Sequence, residues 1–246
     1  MRVKRGGKIR IDRLLFEKGL AQSRHKAQAL IMAAAVSVDG VLVTKAGTPV
    51  SPESAISIKE QFPYVGRGGL KLEGALDNFG IDVRGLTFMD VGASTGGFTD
   101  CLLKRGARRV HAVDVGRGLM DSKLRGDERV HLIEERTIRY LREEEVGEKV
   151  DCAVIDVSFI SLTKVIPRVK EFLKPGATIL ALVKPQFEVG KGSVGKGGVV
   201  RDPEKHKSVI ERLKSFSLGQ GLKPIGVCES PVRGAKGNRE FWLYLA

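Results

Sequence analysis

Lys184 follows the most apolar run in the chain, residues 177–183, and directly precedes Pro185-Gln186-Phe187. Asp156 closes a second apolar run, Cys152-Ala153-Val154-Ile155. A charge that ends a buried strand lies at the strand's carboxyl end. In open α/β sheets the crevice outside those ends is where ligands bind. A neutral amine placed there can take a proton from a weakly acidic hydroxyl, with a carboxylate to orient it. The reference pKa of a lysine is about 10.4, so the site must favour the neutral amine by roughly 4 kcal/mol, through burial and a second cation. Nearby carboxylates oppose that preference, which leaves them orientation and charge balance.

A second group of residues could hold a ligand beside that amine. The run Asp90-Val91-Gly92-Ala93-Ser94-Thr95-Gly96-Gly97-Phe98-Thr99 reads as a buried strand, a glycine-rich turn and the start of a helix. Such a turn lets a ligand approach the backbone closely. It is not a dinucleotide fingerprint, which would need glycine at Ser94, and no Gly-Lys-Ser/Thr follows to make a phosphate loop. Asp114 ends the next strand about 20 residues on, where a carboxylate can accept bonds from two ribose hydroxyls. The spacing resembles the S-adenosylmethionine loop of Rossmann-like methyltransferases. That resemblance implies contacts from Asp90, Gly92, Ala93, Ser94, Thr95, Gly96, Gly97, Phe98 and Thr99, with Asp114 and Asp156 completing the set.

The surrounding elements must place these groups. Strands are expected near Thr87–Val91, Arg109–Val113, Arg129–Ile133, Asp151–Ile155, Ala177–Val183, Lys223–Glu229 and Phe241–Leu245. Helices are expected near Phe98–Arg105, Thr137–Glu145, Leu162–Leu173 and Pro203–Gly219. The alternation argues an α/β domain with a mostly parallel, doubly wound sheet of seven strands. Ahead of it, Ile11–Leu20 reads as a short helix stopped at Gly19, and Ser23 caps a second helix through Ile31. Val36-Ser37-Val38-Asp39-Gly40-Val41-Leu42-Val43 then reads as a hairpin about Asp-Gly. The expected division is a small α+β module over 1–60, a linker over 61–66 broken by Pro63, and the larger domain over 67–246.

Charge and composition narrow the function. The chain has 246 residues and 42 Lys and Arg against 29 Asp and Glu, a net +13 that points to nucleic acid or an anionic surface as partner. Residues 1–60 hold 11 Lys and Arg against 5 Asp and Glu. No apolar run reaches the ~18 residues of a transmembrane helix, and the basic start lacks the apolar core of a signal peptide. Cys101, Cys152 and Cys228 are few and scattered, which suits a reducing cytoplasm. Together with four dispersed histidines they have no metal-ligand spacing, so no metal site is expected.

The methyl acceptor can be narrowed as well. Attack on a cytosine ring needs a cysteine nucleophile in a strand-end loop, and none of the three cysteines has that setting. Amine methylation commonly uses an Asn/Asp-Pro-Pro-aromatic loop, whereas this chain has Asp156-Val157-Ser158-Phe159. A ribose 2′-hydroxyl, a poor nucleophile in need of a base, suits Lys184.

Two family resemblances extend these readings. Arg10-Ile11-Asp12-Arg13-Leu14-Leu15, Ser23-Arg24 and Val36–Gly40 resemble the S-four-type RNA-binding domain over about residues 8–58. This implies that Arg10, Arg13, Arg24 and Lys26 face structured RNA. Ala34 stands where that family usually has glycine; if the position needs positive φ, alanine costs about 1 kcal/mol there. Val65–Leu72, Asp90–Thr99, Asp156–Ser161, Val183–Lys191 and Gly237–Phe241 resemble, in order, the TlyA family. Its members join an S-four-type domain to an FtsJ-like, Rossmann-like class I methyltransferase domain, and relatives also carry the label haemolysin. Gly66 and Leu70 depart from more polar family choices. The resemblance implies S-adenosylmethionine-dependent 2′-O-methylation of ribose, of cytidine in ribosomal RNA or ribosomal subunits. Its Lys-Asp-Lys-Glu set falls on Lys71, Asp156, Lys184 and Glu240. Arg67, and Lys191 and Lys196 of the glycine-rich segment 190–198, are further expected RNA contacts. A non-catalytic assembly factor would not require Lys71 and Glu240 at these positions. A membrane-active haemolysin finds no long apolar segment, and an NAD-dependent enzyme is disfavoured by Ser94.

Overall fold

The computed structural model describes residues 7–21, 23–32, 34–58, 63–190, 192 and 194–246, with the side chain of Lys196 left out. Gln61 and Phe62 of the expected linker, and Lys191, lie outside the described residues. The chain forms two compact units, 1–61 and 62–246.

In the first unit, β1 (Ile9–Arg10) leads into α1 (Ile11–Glu17), followed by α2 (Arg24–Met32). Ser23 accepts from the Lys26 amide, the expected cap. Strands β2 (Val36–Val38) and β3 (Val41–Val43) make the Asp39-Gly40 hairpin, with both turn residues at positive φ. The reading of the sequence did not include β4 (Pro49–Val50), which pairs with β1, or β5 (Ile56–Ile58), which makes β2 the centre of a three-stranded sheet. Short strands without full alternation carry little signal. Ile11, Leu15, Ala27, Ile31 and Val36 close the core of this unit. Ala34 has φ 55°, so the alanine does occupy a position that suits glycine.

In the second unit the elements are α3 (Gly68–Phe79), β6 (Thr87–Val91), α4 (Gly97–Lys104), β7 (Arg109–Val113), α5 (Ser122–Arg125) and β8 (Val130–Ile133). There follow α6 (Glu143–Val146), β9 (Val150–Ile155), α7 (Ile166–Lys170), β10 (Leu173–Val183), α8 (Pro185–Glu188), α9 (Pro203–Gly219), β11 (Pro224–Glu229) and β12 (Phe241–Leu245). The sheet order is β11-β12-β10-β9-β6-β7-β8. β12 runs antiparallel to both neighbours, and the β10-β9-β6-β7-β8 pairs are parallel. After β8 the chain crosses back to the other side of β6, so β6 and β9 flank the switch point where such sheets bind ligands. Apolar cores lie on both faces: Leu72, Leu76, Phe98 and Leu102 on one, Leu141, Ile166, Phe172 and Leu213 on the other.

Two expected helices are shorter than their patterns suggested. The 137–145 stretch is a single 3-10 turn, Ile138–Tyr140, then α6, because Leu141 is extended and Glu145 accepts from the Arg142 amide to start a new helix. The 162–173 stretch divides into a 3-10 turn, Leu162–Lys164, and α7, with Pro167, which lacks an amide donor, in the first turn of the second piece. α3 was not expected at all. Its start, Gly66-Arg67-Gly68-Gly69, has poor helix propensity, and tertiary contact overrides that. Gly69 lies against the Tyr64 ring so closely that a Cβ would overlap it, and Tyr64 Oη donates to Glu73 (2.6 Å). Tyr64 and Val65, expected in the linker, pack into this unit.

His111 of β7 and His131 of β8 are paired in register, with Nδ1 atoms 3.0 Å apart, and His111 Nε2 stands 3.2 Å from Glu148 Oε1. Burial holds the His111 imidazole down at about 4, below its ordinary 6.5, so it is neutral in the folded state. An unfolded chain takes up that proton first. The stability due to this group is therefore complete above pH 6.5 and lost as pH falls toward 4. Asp90, raised by its own burial, contributes a slope of the opposite sign. Urea unfolding at pH 7 and pH 5 isolates the histidine: His111→Asn is expected to lose less stability across that interval than the parent, and an unchanged loss would refute the assignment.

Candidate active site

The site is built where β6, β9 and β10 end. Gly92 has φ 88°, and a Cβ there would overlap the carbonyl oxygen of Asp156, so only glycine lets the β6 turn lie against the end of β9. The Gly92 and Ala93 amides donate to Val113 O, and the Gly96 amide to Ala93 O (2.8 Å), which closes the turn into the start of α4. Glycines also set the approach of α3. A Cβ at Gly97 would stand 3.1 Å from the Gly69 amide nitrogen, and one at Gly66 would stand 2.8 Å from Thr95 Oγ1. Gly66, a departure from the family pattern, thus fits its neighbour, while Leu70 packs half-buried against the core.

Four charged side chains meet here in two pairs. Lys184 Nζ lies 2.5 Å from Asp156 Oδ1, and the two side chains are 11% and 20% exposed. Asp156 Oδ1 is buried, with the Lys184 amine as its ion-pair partner and no hydrogen bond among the described residues. Lys184 Nζ instead donates to Ser158 Oγ (3.0 Å). Lys71, from α3, donates to Glu240 Oε2 at 2.7 Å, with side chains 12% and 2% exposed. Glu240 stands at the start of β12, beneath Gly234, where a Cβ would overlap its carboxylate.

Two cavities lie here, and of the four charged residues Lys71 and Asp156 line them while Lys184 and Glu240 do not. One of about 220 Å³ is lined by Arg67, Lys71, Ala93, Thr95, Phe98 and the 232–235 loop. The other, about 350 Å³, is lined by Asp114, Leu119, Ile138, Phe159 and neighbouring apolar groups. Gly92, Ser94 and Asp156 line both. Asp114 Oδ2 accepts from the Ser94 amide and Oδ1 from the Gly116 amide, both at 2.7 Å, which fixes the carboxylate at the turn. Asp90 and Thr99 lie beneath the turn, fully buried. Asp90 Oδ2 accepts from the Thr99 amide (3.1 Å) and hydroxyl (2.7 Å), its Oδ1 has no hydrogen-bond partner among the described residues, and burial pushes its carboxyl up to about 7.

Several lining residues were not anticipated: Ser158, Phe159 as a lining group, Ile138, and Arg233-Gly234 of the loop before β12. Phe159 is 91% exposed at φ 63°, with Phe187 beside it at a ring-centroid distance of 4.9 Å. An exposed aromatic held in the left-handed region is a signal in the structure that sequence spacing does not carry. Of the expected RNA contacts, Arg67 lines the smaller cavity beside Arg233. Arg10 and Arg24 pair with Asp12, and Arg13 with Glu17 (2.6 Å).

A doubly wound sheet with one antiparallel strand, a glycine turn after its first strand and an acid after its second define a Rossmann-like methyltransferase. Residues 64–246 match the FtsJ-like methyltransferase family and residues 9–56 match the S4 domain. The chain belongs to the FtsJ-like methyltransferase family, and within it to the TlyA group that carries an S4 domain ahead of the catalytic one. It is 44% identical over 240 residues to the 16S/23S rRNA (cytidine-2'-O)-methyltransferase TlyA of Mycobacterium tuberculosis, covering 97% of this chain and 90% of that protein. It is 40% identical over 234 residues to Hemolysin A of Brachyspira hyodysenteriae, covering 95% and 98%. A solved structure described as a candidate hemolysin from Streptococcus thermophilus aligns with a TM-score of 0.77 at 40% identity, over 97% of this chain and 88% of that one. No described helix is long and apolar enough to cross a membrane.

Ser94, at φ 50°, is a non-glycine residue in the left-handed region at the junction of the two cavities. Such a position costs a serine about 1 kcal/mol. Ser94→Gly is expected to raise the unfolding free energy by about that amount in urea titration; a lower midpoint would show that the serine is not strained.

Proposed function

We propose that the chain transfers a methyl group from S-adenosylmethionine to a ribose 2′-hydroxyl of ribosomal RNA, that of a cytidine. The observation that carries this reading is the convergence of the Lys184–Asp156 and Lys71–Glu240 pairs on the glycine turn. The residues present fit the cofactor. Asp156 and the Gly92 turn line both cavities. Asp156 Oδ1 is ion-paired with Lys184 but accepts no hydrogen bond among the described residues, and so can still receive an ammonium. Asp114 offers carboxylate lone pairs to ribose hydroxyls. When bound, the cofactor supplies an electrophilic methyl group on a sulfonium centre.

The chain's own residues do the rest. Lys184 acts from its neutral form. Having first given up its own proton, the amine takes the proton of the 2′-hydroxyl as that oxygen becomes the nucleophile, and the ammonium so formed is held by Asp156. Asp156 and Ser158 fix the direction in which the amine points. Lys71, held by Glu240, adds a second cation that favours oxygen bearing developing negative charge. Arg67 and Arg233 at the smaller cavity suit the phosphates flanking the target nucleotide. Phe159 offers its ring to a base drawn out of its stack, an interaction worth about 1–3 kcal/mol per base.

Lysine can act as a base and arginine cannot, because a guanidinium keeps its proton. Lys184→Ala and Lys184→Arg are both expected to lose at least about 100-fold in kcat. Cofactor affinity and thermal unfolding should stay near those of the parent. Labelled methyl transfer to ribosomal RNA measures this. Near-parental turnover in the arginine variant would reduce Lys184 to a fixed charge, and near-parental turnover in the alanine variant would remove it from the mechanism.

A further inference from the structure

The first unit holds a buried carboxylate that the reaction above does not use. Asp12 is 0% exposed, and five donors converge on it. Arg10 Nε (3.0 Å) and the Arg13 amide (2.9 Å) reach Oδ1. Arg10 Nη2 (3.0 Å), Arg24 Nη2 (3.1 Å) and Gln28 Nε2 (2.9 Å) reach Oδ2. The Arg10 guanidinium, hydrogen-bonded side-on, holds this carboxyl well below the usual carboxylate range.

Satisfying one buried acid takes fewer donors than these. The bidentate Arg10 fork, the Arg13 amide and Gln28 already fill both oxygens, so the second arginine is more than the carboxylate requires. Both arginine side chains remain about half exposed, at 54% and 52%. A free arginine samples many rotamers, at about 2 kcal/mol of entropy; here two are fixed on one anchor. Arg10 has a second constraint. Its guanidinium lies over the Gly47 backbone, where a Cβ would stand 3.3 Å from Nη1. The pair is therefore built from β1 and α1, which carry Arg10 and Asp12, from α2, which carries Arg24, and from the loop before β4, three separate stretches of sequence.

We propose that Asp12 is a positioning residue for RNA, holding Arg10 and Arg24 as a fixed pair that receives phosphate oxygens of the RNA backbone. The inference rests on the RNA substrate proposed above. A guanidinium carries five N–H donors. Arg10 gives two to Asp12, from one edge, and Arg24 gives one, so each keeps an edge for a second anion. Donors fixed before binding lose little side-chain freedom when phosphate arrives. Contacts of this kind set register and orientation on the RNA without reading bases.

The proposal has a test in which two explanations differ in sign. Asp12→Asn keeps the shape and removes one negative charge beside the arginines. If the unit bound RNA through net charge alone, the variant would bind more tightly, with a steeper dependence on salt, by up to about one in log–log slope. If Asp12 positions the arginines, the variant binds on the order of tenfold more weakly, and the slope does not steepen. Fluorescence anisotropy of the full chain with transcribed ribosomal RNA, across a salt series, reads both quantities. Arg10→Lys, which keeps the charge and loses the fork, is expected to weaken binding as well, and it decides the matter if Asp12→Asn does not fold. Tighter binding by Asp12→Asn, or parental binding by Arg10→Lys, overturns the proposal. Absence of salt-dependent RNA binding in the parent chain would instead overturn the RNA reading on which it rests.

Discussion

A lysine and an aspartate at the ends of adjacent buried strands impose a constraint that the rest of the catalytic unit has to meet. β9 and β10 are apolar through their last residues, so neither charge can retreat into the sheet, and each stands within reach of the other. An isolated charge in such a place would be costly. Paired, it is tolerated, and the pair then points outward at the switch point of the sheet. The close fit of Gly92 against the Asp156 carbonyl brings the β6 turn to the same spot. The amine, the carboxylate and the glycine turn thus share one origin, the mutual register of three parallel strands.

The second pair depends on packing of a different kind. Lys71 reaches the site because α3 lies almost in backbone contact with the start of α4, through facing glycines. Glu240 reaches it because β12 runs antiparallel and begins where β10 ends, with Val183 opposite Phe241. Two lysines with separate carboxylates therefore enter from a helix, α3, and from the end of a strand, β10. Four non-glycine residues with positive φ, Ser94, Glu135, Phe159 and Lys236, lie in or beside the loops that line this cleft. Backbone strain of that sort collects where a side chain has to be aimed rather than merely buried.

Much of this was legible in the chain because buried parallel strands write themselves as apolar runs. Those ending at Val91, Val113, Ile155 and Val183 place their carboxyl ends without ambiguity, so Asp114, Asp156 and Lys184 could be put at the crevice from sequence. Lys71 and Glu240 were reached through family resemblance. Nothing in Gly66-Arg67-Gly68-Gly69 announces a helix, because its stability comes from the packing of Gly69 on Tyr64 and from the glycine turn, which is distant in sequence. The two overlong helices failed for local reasons, the extended Leu141 and Pro167, which hydrophobic spacing does not register. In the first unit the basic residues were evident, but their common anchor was not. Asp12 becomes that anchor only in the fold, where Arg10, Arg24 and Gln28 converge on it.

The central claim is that the amine at the end of β10 serves an oxygen of ribose and not a base. Nucleoside mass spectrometry of ribosomal RNA treated with the protein and methyl-labelled S-adenosylmethionine tests this most directly. The account predicts label in a 2′-O-methylated nucleoside, cytidine, with the base unmodified. Label on a ring carbon or an exocyclic amine, with none on ribose, would contradict it.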